Sequence, residues 1–203
     1  MQPDSNGATN KMLRADRSHL CSWEGVPQHR ERLYIICLRK DSPRITKIKW
    51  PQPVAQPSLR SIVKGTPDAK KVKYPKAPHA KRKVEAVVKE LKDAGVNPLK
   101  AMVVVNSESS SGNWMVDKCP CLTASRGQAG GGWILTKGRH FTLPELFAIQ
   151  GMDFGKVNVP SGMSNRKVGF MIGNSFTQTV FERIFAQVLL QSELVDAVPS
   201  RFV

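Results

Sequence analysis

No stretch of the 203 residues strings together the roughly 18 apolar side chains that a membrane-spanning helix requires. The opening segment MQPDSNGATNKMLR also lacks the apolar run of a secretory signal. Both absences lead to the expectation of an intracellular chain without membrane partners. The four cysteines, at 21, 37, 119 and 121, lack the spacing of a disulfide framework, so reduced thiols are expected. Cys119 and Cys121 have no second closely spaced Cys/His pair, and His19, His29, His79 and His140 show no ligand spacing, which argues against a metal site. Acid is scarce too: 16 Asp and Glu stand against 31 Lys and Arg, a formal net charge of +15.

What is present is enough apolar material, 40% of residues, for a real core in one domain or one domain with a smaller lobe. The basic excess is concentrated: residues 41 to 100 hold 15 Lys and Arg against 5 Asp and Glu. Such a field attracts polyanions by releasing their counterions, which makes nucleic acid the leading partner, with a merely solvated lysine-rich surface as the alternative.

Residues 1–18 are polar and aperiodic and are expected to form a flexible lead-in. Leu33 to Leu38 is a short apolar, β-branched run that predicts a buried strand. Seven prolines between 43 and 78 break any regular period, leaving short strands such as 45–50 as the most that can form there. From Lys81 to Ala94, Val84, Val87, Val88 and Leu91 recur at helical spacing, with Gly95 and Pro98 as the stop. Ala101 to Val105 predicts a strand, followed by a Ser-rich turn at 107–111 and a short strand from Asn113 to Val116. Gly127 to Gly132 is expected to be a flexible connection rather than a phosphate cradle, because no lysine-serine pattern follows it. Thr142-Leu143-Pro144-Glu145 is a capping box opening a helix that ends at Gln150-Gly151. A second helix is expected from near Ser175 to about Leu194, its stripe formed by Val180, Phe181, Ile184, Phe185, Val188 and Leu189.

Three segments carry a resemblance. Gly25-Val26-Pro27-Gln28-His29-Arg30-Glu31-Arg32, with the strand after it, resembles the Gln-x-Arg-x-Arg motif of the DNA (cytosine-5) methyltransferases, including the Gly-x-Pro that precedes it. Arg139 to Glu145, continuing to Ile149-Gln150-Gly151-Met152, is similar to that family's Arg-x-Leu-Thr-x-x-Glu and Leu-Gln-Gly-Phe motif, departing from it at Phe141, Ile149 and Met152. Ile172-Gly173-Asn174-Ser175 resembles the Gly-Asn-Ala or Gly-Asn-Ser motif that precedes the family's last helix. The three stand in family order over roughly 20–40 and 119–192, and the basic stretch falls where the family places its variable target recognition region.

In extended chain Arg30 and Arg32 project to one side, where their guanidinium forks can engage phosphates or a base carbonyl; the other reading is a solvated strand start paired with Glu31. The resemblance implies that Gln28, Arg30 and Arg32 line the active-site mouth, with Arg32 near the target cytosine and Arg30 supporting the DNA backbone. Asn174 and Ser175, expected at a helix start, can either cap the helix or bind an anionic group. The resemblance implies the S-adenosylmethionine end of the pocket, and it gives Arg139, Thr142 and Glu145 a structural role.

Methylation at carbon 5 requires an extruded cytosine, a thiolate adding at carbon 6, an acid stabilising the ring, and S-adenosylmethionine. The chain contains no Phe-x-Gly-x-Gly, Pro-Cys-Gln or Glu-Asn-Val segment ahead of Gln28. Pro120-Cys121 is followed by Leu122-Thr123 and comes after the arginine motif, so it is not the nucleophile. The expected architecture is α/β: an incomplete doubly wound, Rossmann-like methyltransferase remnant over 19–40 and 139–195, with an irregular mixed recognition lobe over 41–138. The expected function is DNA binding and completion of a cytosine-5 methyltransferase site, inactive without an N-terminal partner that brings the nucleophile, and nuclear in a eukaryote. A non-catalytic DNA-binding module and a relative acting on tRNA are the alternatives.

Overall fold

The structure, a computed structural model, describes residues 11–14, 25–32, 34–38, 49–65, 71–108 and 113–202. Leu33, most of the 45–50 stretch, the end of the Ser-rich turn at 107–111, and His19 and Cys21 lie outside the described residues, as does most of the 1–18 lead-in. What is described is a mixed α/β fold with small sheets.

Strand β1 (Lys11–Arg14) pairs antiparallel with β3 (Ile35–Leu38), so part of the segment expected to be a flexible lead-in is a strand. The β3 strand differs from its expectation as well, since Ile35 is 52% exposed and its partner is a hairpin-like neighbour rather than a parallel sheet. Among the described residues the sheets are this ribbon, a two-stranded parallel pair and a three-stranded antiparallel sheet.

The three-stranded sheet has β4 (Val103–Val105) at its centre, flanked by β5 (Trp114–Val116) and β7 (Trp133–Ile134), both antiparallel to it. Successive strand side chains point to opposite faces, and β4 uses this to divide two cores. Val103 and Val105 face a cluster with Trp133 and Leu135, whereas Val104 joins Met102, Ile134, Phe141, Leu146 and Ile172 on the other side. Helix α1 (Pro78–Asp93) closes the first cluster with Val84, Val87, Val88 and Leu91, all buried, as the 3.6-residue spacing predicts. Proline at its first position suits a helix start, where the missing N–H would have no partner.

The second cluster is closed by α3 (Leu143–Ile149) and α4 (Asn165–Asn174), and α2 (Ala124–Gln128) packs on α4. Helix α3 begins where the capping box predicts: the Glu145 carboxylate accepts from the Thr142 N–H at 2.8 Å and is clasped by Arg139 through two hydrogen bonds of 2.7 and 2.8 Å. Helix α4 was not anticipated, although Ser164 caps it and Val168 and Ile172 are spaced four apart on its buried face. Its packing explains the glycines. A Cβ on Gly127 would strike the Gly169 carbonyl, and one on Gly173 would strike the Thr123 main chain, so α2 and α4 touch backbone to backbone. The stretch expected to be flexible is therefore close-packed, with Gly131 and Gly132 buried against Phe141 and Val104. The last helix, α5 (Gln178–Gln191), starts after Thr177 rather than at Ser175.

Candidate functional site

The chain turns at Gly25 (φ +61°) and runs through buried Val26 and Pro27 into β2 (Gln28–His29). This strand pairs parallel with β6 (Cys119–Pro120), so residues some 90 positions apart lie side by side. Alternation along it puts Gln28 and Arg30 inside and His29 and Glu31 outside, the latter two 3.8 Å apart.

Gln28 is fully buried, and its amide is satisfied from both ends. Its Nε2 donates to the Ile149 carbonyl at 3.1 Å and to Gln150 Oε1 at 3.2 Å, while its Oε1 accepts from the Leu122 N–H at 3.1 Å. Arg30, only 6% exposed, donates from Nη1 to the Leu122 and Gly173 carbonyls and from Nη2 to the Ser175 carbonyl at 2.8 Å. The main chain of one residue is thus held on both sides: Gln28 accepts from the N–H of Leu122 and Arg30 donates to its C=O, fixing the two successive peptide units that meet there. Burying a guanidinium is costly unless its donors are met, and here main-chain carbonyls meet them.

The structure divides the arginine pair that extended geometry placed on one side. Arg30 points inward, where the main-chain carbonyls of Leu122, Gly173 and Ser175 accept from it. Arg32 is exposed, donating to the neighbouring Glu31 carbonyl and lying 3.4 Å from Cys121 Sγ. Cys121 is half-buried beside Arg32, whereas Cys119 is wholly buried, and that burial pushes its thiol up to about 12 from an ordinary 9.0.

Asn174 and Ser175 come directly against this strand, through Arg30, but not at a helix N-terminus. Asn174 is the exposed last residue of α4 and Ser175 is its C-terminal cap, with both its N–H (3.1 Å) and its hydroxyl (2.6 Å) turned back on the Ile172 carbonyl. The expected cluster of free helix-opening N–H groups is therefore replaced by a tight turn between two helices. Its physical cause is α4 itself, which leaves only Ser175 to Thr177 as connection.

Gln150 joins these pieces and was read from sequence only as part of a motif and a helix end. Its Nε2 donates to the Ile172 carbonyl at 3.0 Å, its Oε1 accepts from Gln28 and Thr177, and its own carbonyl accepts from the Gln178 N–H at 2.8 Å. A buried glutamine immediately before a turn glycine is the signal that could have found it. Beside the junction a recess of about 820 Å³ opens between α2, α3 and α4, lined by Gln128, Phe141, Leu146 and Arg166 among others.

On the far side of β4, α1 turns Lys81, Arg82, Lys89 and Lys92 to solvent, along with Glu85, which pairs with Lys81 at 3.8 Å. Among the described residues no group of three or more His, Cys, Asp or Glu side chains could hold a metal, and no helix is long and apolar enough to cross a membrane. The family model for C-5 cytosine-specific DNA methylase matches residues 20–189. No curated protein matches the chain.

Proposed function

Since the chain belongs to the C-5 cytosine-specific DNA methylase family, we propose that it is the C-terminal portion of a DNA (cytosine-5) methyltransferase. In this reading it binds DNA through the basic recognition region at 41–138 and supplies two walls of the methyl-transfer pocket. Gln28 and Arg30 shape one wall, and Arg32, exposed at its rim, contacts the extruded cytosine. The Asn174–Ser175 turn forms the end that meets S-adenosylmethionine, the methyl donor the family uses. The observation that carries the reading is the Arg30 guanidinium, which binds the Ser175 and Gly173 carbonyls and so joins two motifs 143 or more positions apart at one point.

The residues present fit one end of a cofactor site rather than a whole one. Asn174 is exposed with its side chain uncommitted among the described residues, and it adjoins an apolar ladder of Phe176, Phe181 and Phe185 whose rings stack at 5.4 and 5.7 Å. Those rings are 43% to 64% exposed, with Phe170, Met171 and Leu194 exposed near them in sequence. Phe181 and Phe185 of the α5 stripe are thus left uncovered, as a surface that packs against further polypeptide would be. We assign that cover to a segment carrying the Pro-Cys-Gln nucleophile and the glycine-rich cofactor turn, neither of which these residues contain. When bound, the methyl donor supplies the electrophilic carbon; Arg32 orients the base, and Arg30 holds the turn against the rim.

The test is transfer of a labelled methyl group to cytosine-containing duplex DNA. The purified chain alone is expected to transfer none, and addition of a polypeptide bearing the nucleophile and cofactor segments is expected to restore transfer. Robust transfer by the chain alone overturns the assignment of the nucleophile elsewhere. Salt-sensitive DNA retention with no methyl transfer under any pairing would favour a non-catalytic DNA-binding module, and preference for tRNA over duplex DNA a relative acting on RNA.

A further inference from the structure

On the opposite flank of the Gln28–Gln150 junction, between Gly25, Gly151 and the first turns of α5, lies a separate cavity of about 560 Å³. Its charged lining is Asp153, Lys156, Glu182, Arg183 and Arg201. The two acids are already engaged. Asp153 accepts from the Gly155 N–H at 3.0 Å and lies 3.8 Å from Lys156, while Glu182 accepts from Gln178 at 2.6 Å. Arg183 is half-buried, and among the described residues neither acid nor hydrogen-bond acceptor meets it. Burial therefore holds its pKa below the ordinary value with nothing to offset the loss of water. Arg201 is held over the Phe202 ring, 4.6 Å from its centroid, which pre-orients a guanidinium without using its donors. Val54, Val157 and Phe202 add an apolar wall.

We propose that this cavity is a phosphate-binding site, in which the Arg183 and Arg201 forks take the oxygens of a phosphoryl group and the Val54–Val157–Phe202 wall shelters the carbon skeleton attached to it. Two planar forks facing one cavity match phosphate geometry bidentately, and a phosphate supplies the counter-charge that the engaged acids do not. The phosphoryl group belongs either to a DNA backbone or to a small organic phosphate. Nothing in the inference depends on methyl transfer.

Inorganic pyrophosphate titrated calorimetrically into the purified chain is the direct test. One site per chain is expected, and Arg183→Met, which keeps an apolar stem, should weaken it about tenfold, the worth of a charge-assisted hydrogen bond. Lys167→Gln, at an exposed position on α4, removes the same charge elsewhere and should leave that site unchanged. If Arg183→Met alters the fold by circular dichroism, Arg201→Ala, at an exposed position, carries the same expectation. Equal weakening by Arg183→Met, Arg201→Ala and Lys167→Gln, or no binding by the unaltered chain, overturns the proposal, because general attraction to a basic protein would then explain the data. Duplex DNA affinity measured alongside identifies the source: a matching loss in Arg183→Met assigns the phosphate to the DNA backbone, and an unchanged affinity assigns it to a free organic phosphate.

Discussion

Around α1, Val84, Val87, Val88 and Leu91 meet Val103, Val105, Trp133 and Leu135, and the contact is aliphatic and aromatic surface. Around Gln28 the contact is instead a set of directed hydrogen bonds, from Gln28, Arg30 and Gln150 to the main chain of Leu122, Ile149, Ile172 and Ser175. The first kind of packing tolerates exchange of one apolar shape for another, because burial is non-directional. The second kind does not, because a buried carbonyl or N–H left without its partner bears the whole desolvation penalty. A lobe that varies its surface while keeping its core suits the first, and a site that must hold fixed geometry suits the second.

The sharpest way to break the contrast is at the backbone contact that supports the junction. Gly173→Ala places a Cβ against the Thr123 main chain, where a side-chain shift cannot relieve it. A loss of about 3 kcal/mol or more is expected in urea unfolding, against about 1–2 kcal/mol for an alanine at Gly162, where a Cβ meets open space and only the φ of +83° is strained. Next in size is a matched pair of shape-conserving changes. Arg30→Met leaves the Leu122, Gly173 and Ser175 carbonyls short of a donor and should cost about 3 kcal/mol. Leu91→Met, in the α1 cluster, should cost less than about 1.5 kcal/mol in the same measurement. Equal costs would erase the distinction between the two regions.

The smallest effect depends on pH. Burial alone would raise the Glu145 pKa, but hydrogen bonds from Arg139 and Thr142 and the Arg139 charge outweigh it and hold the carboxyl below its ordinary 4.5. A depressed carboxyl contributes stability that is complete above the unfolded value and lost as pH falls through the folded one. Glu145→Gln should therefore lower the melting temperature at pH 7, by about 2 kcal/mol equivalent, and the gap to the unaltered chain should narrow as pH drops below 4.5. A constant gap across pH 7 to 3 would mean that shape rather than charge holds Arg139.

The same contrast explains what could be read in the sequence. Helix α1 was legible because its apolar residues repeat with the helical period, β4 because it is a run of β-branched valines, and α3 because Thr142 and Glu145 cap it locally. Helix α4 escaped because its short buried face is interrupted by Gly169 and Gly173, residues that ordinarily weaken a helix and here permit its contact with α2. With α4 unseen, Asn174 and Ser175 were placed at the start of a helix instead of the end of one. The site residues Gln28 and Arg30 could be singled out by resemblance, but their partners could not: Leu122 and Ser175 contribute only main-chain atoms, which leave no trace in side-chain pattern.

That Gln28 and Arg30 seize main-chain groups of Leu122 rather than its side chain has a consequence for which changes the chain can absorb. Main-chain groups are the same in every amino acid but proline, so these hydrogen bonds do not depend on which side chain position 122 carries. Exposed positions ahead of Cys119 can therefore change while the joint goes on closing in the same way.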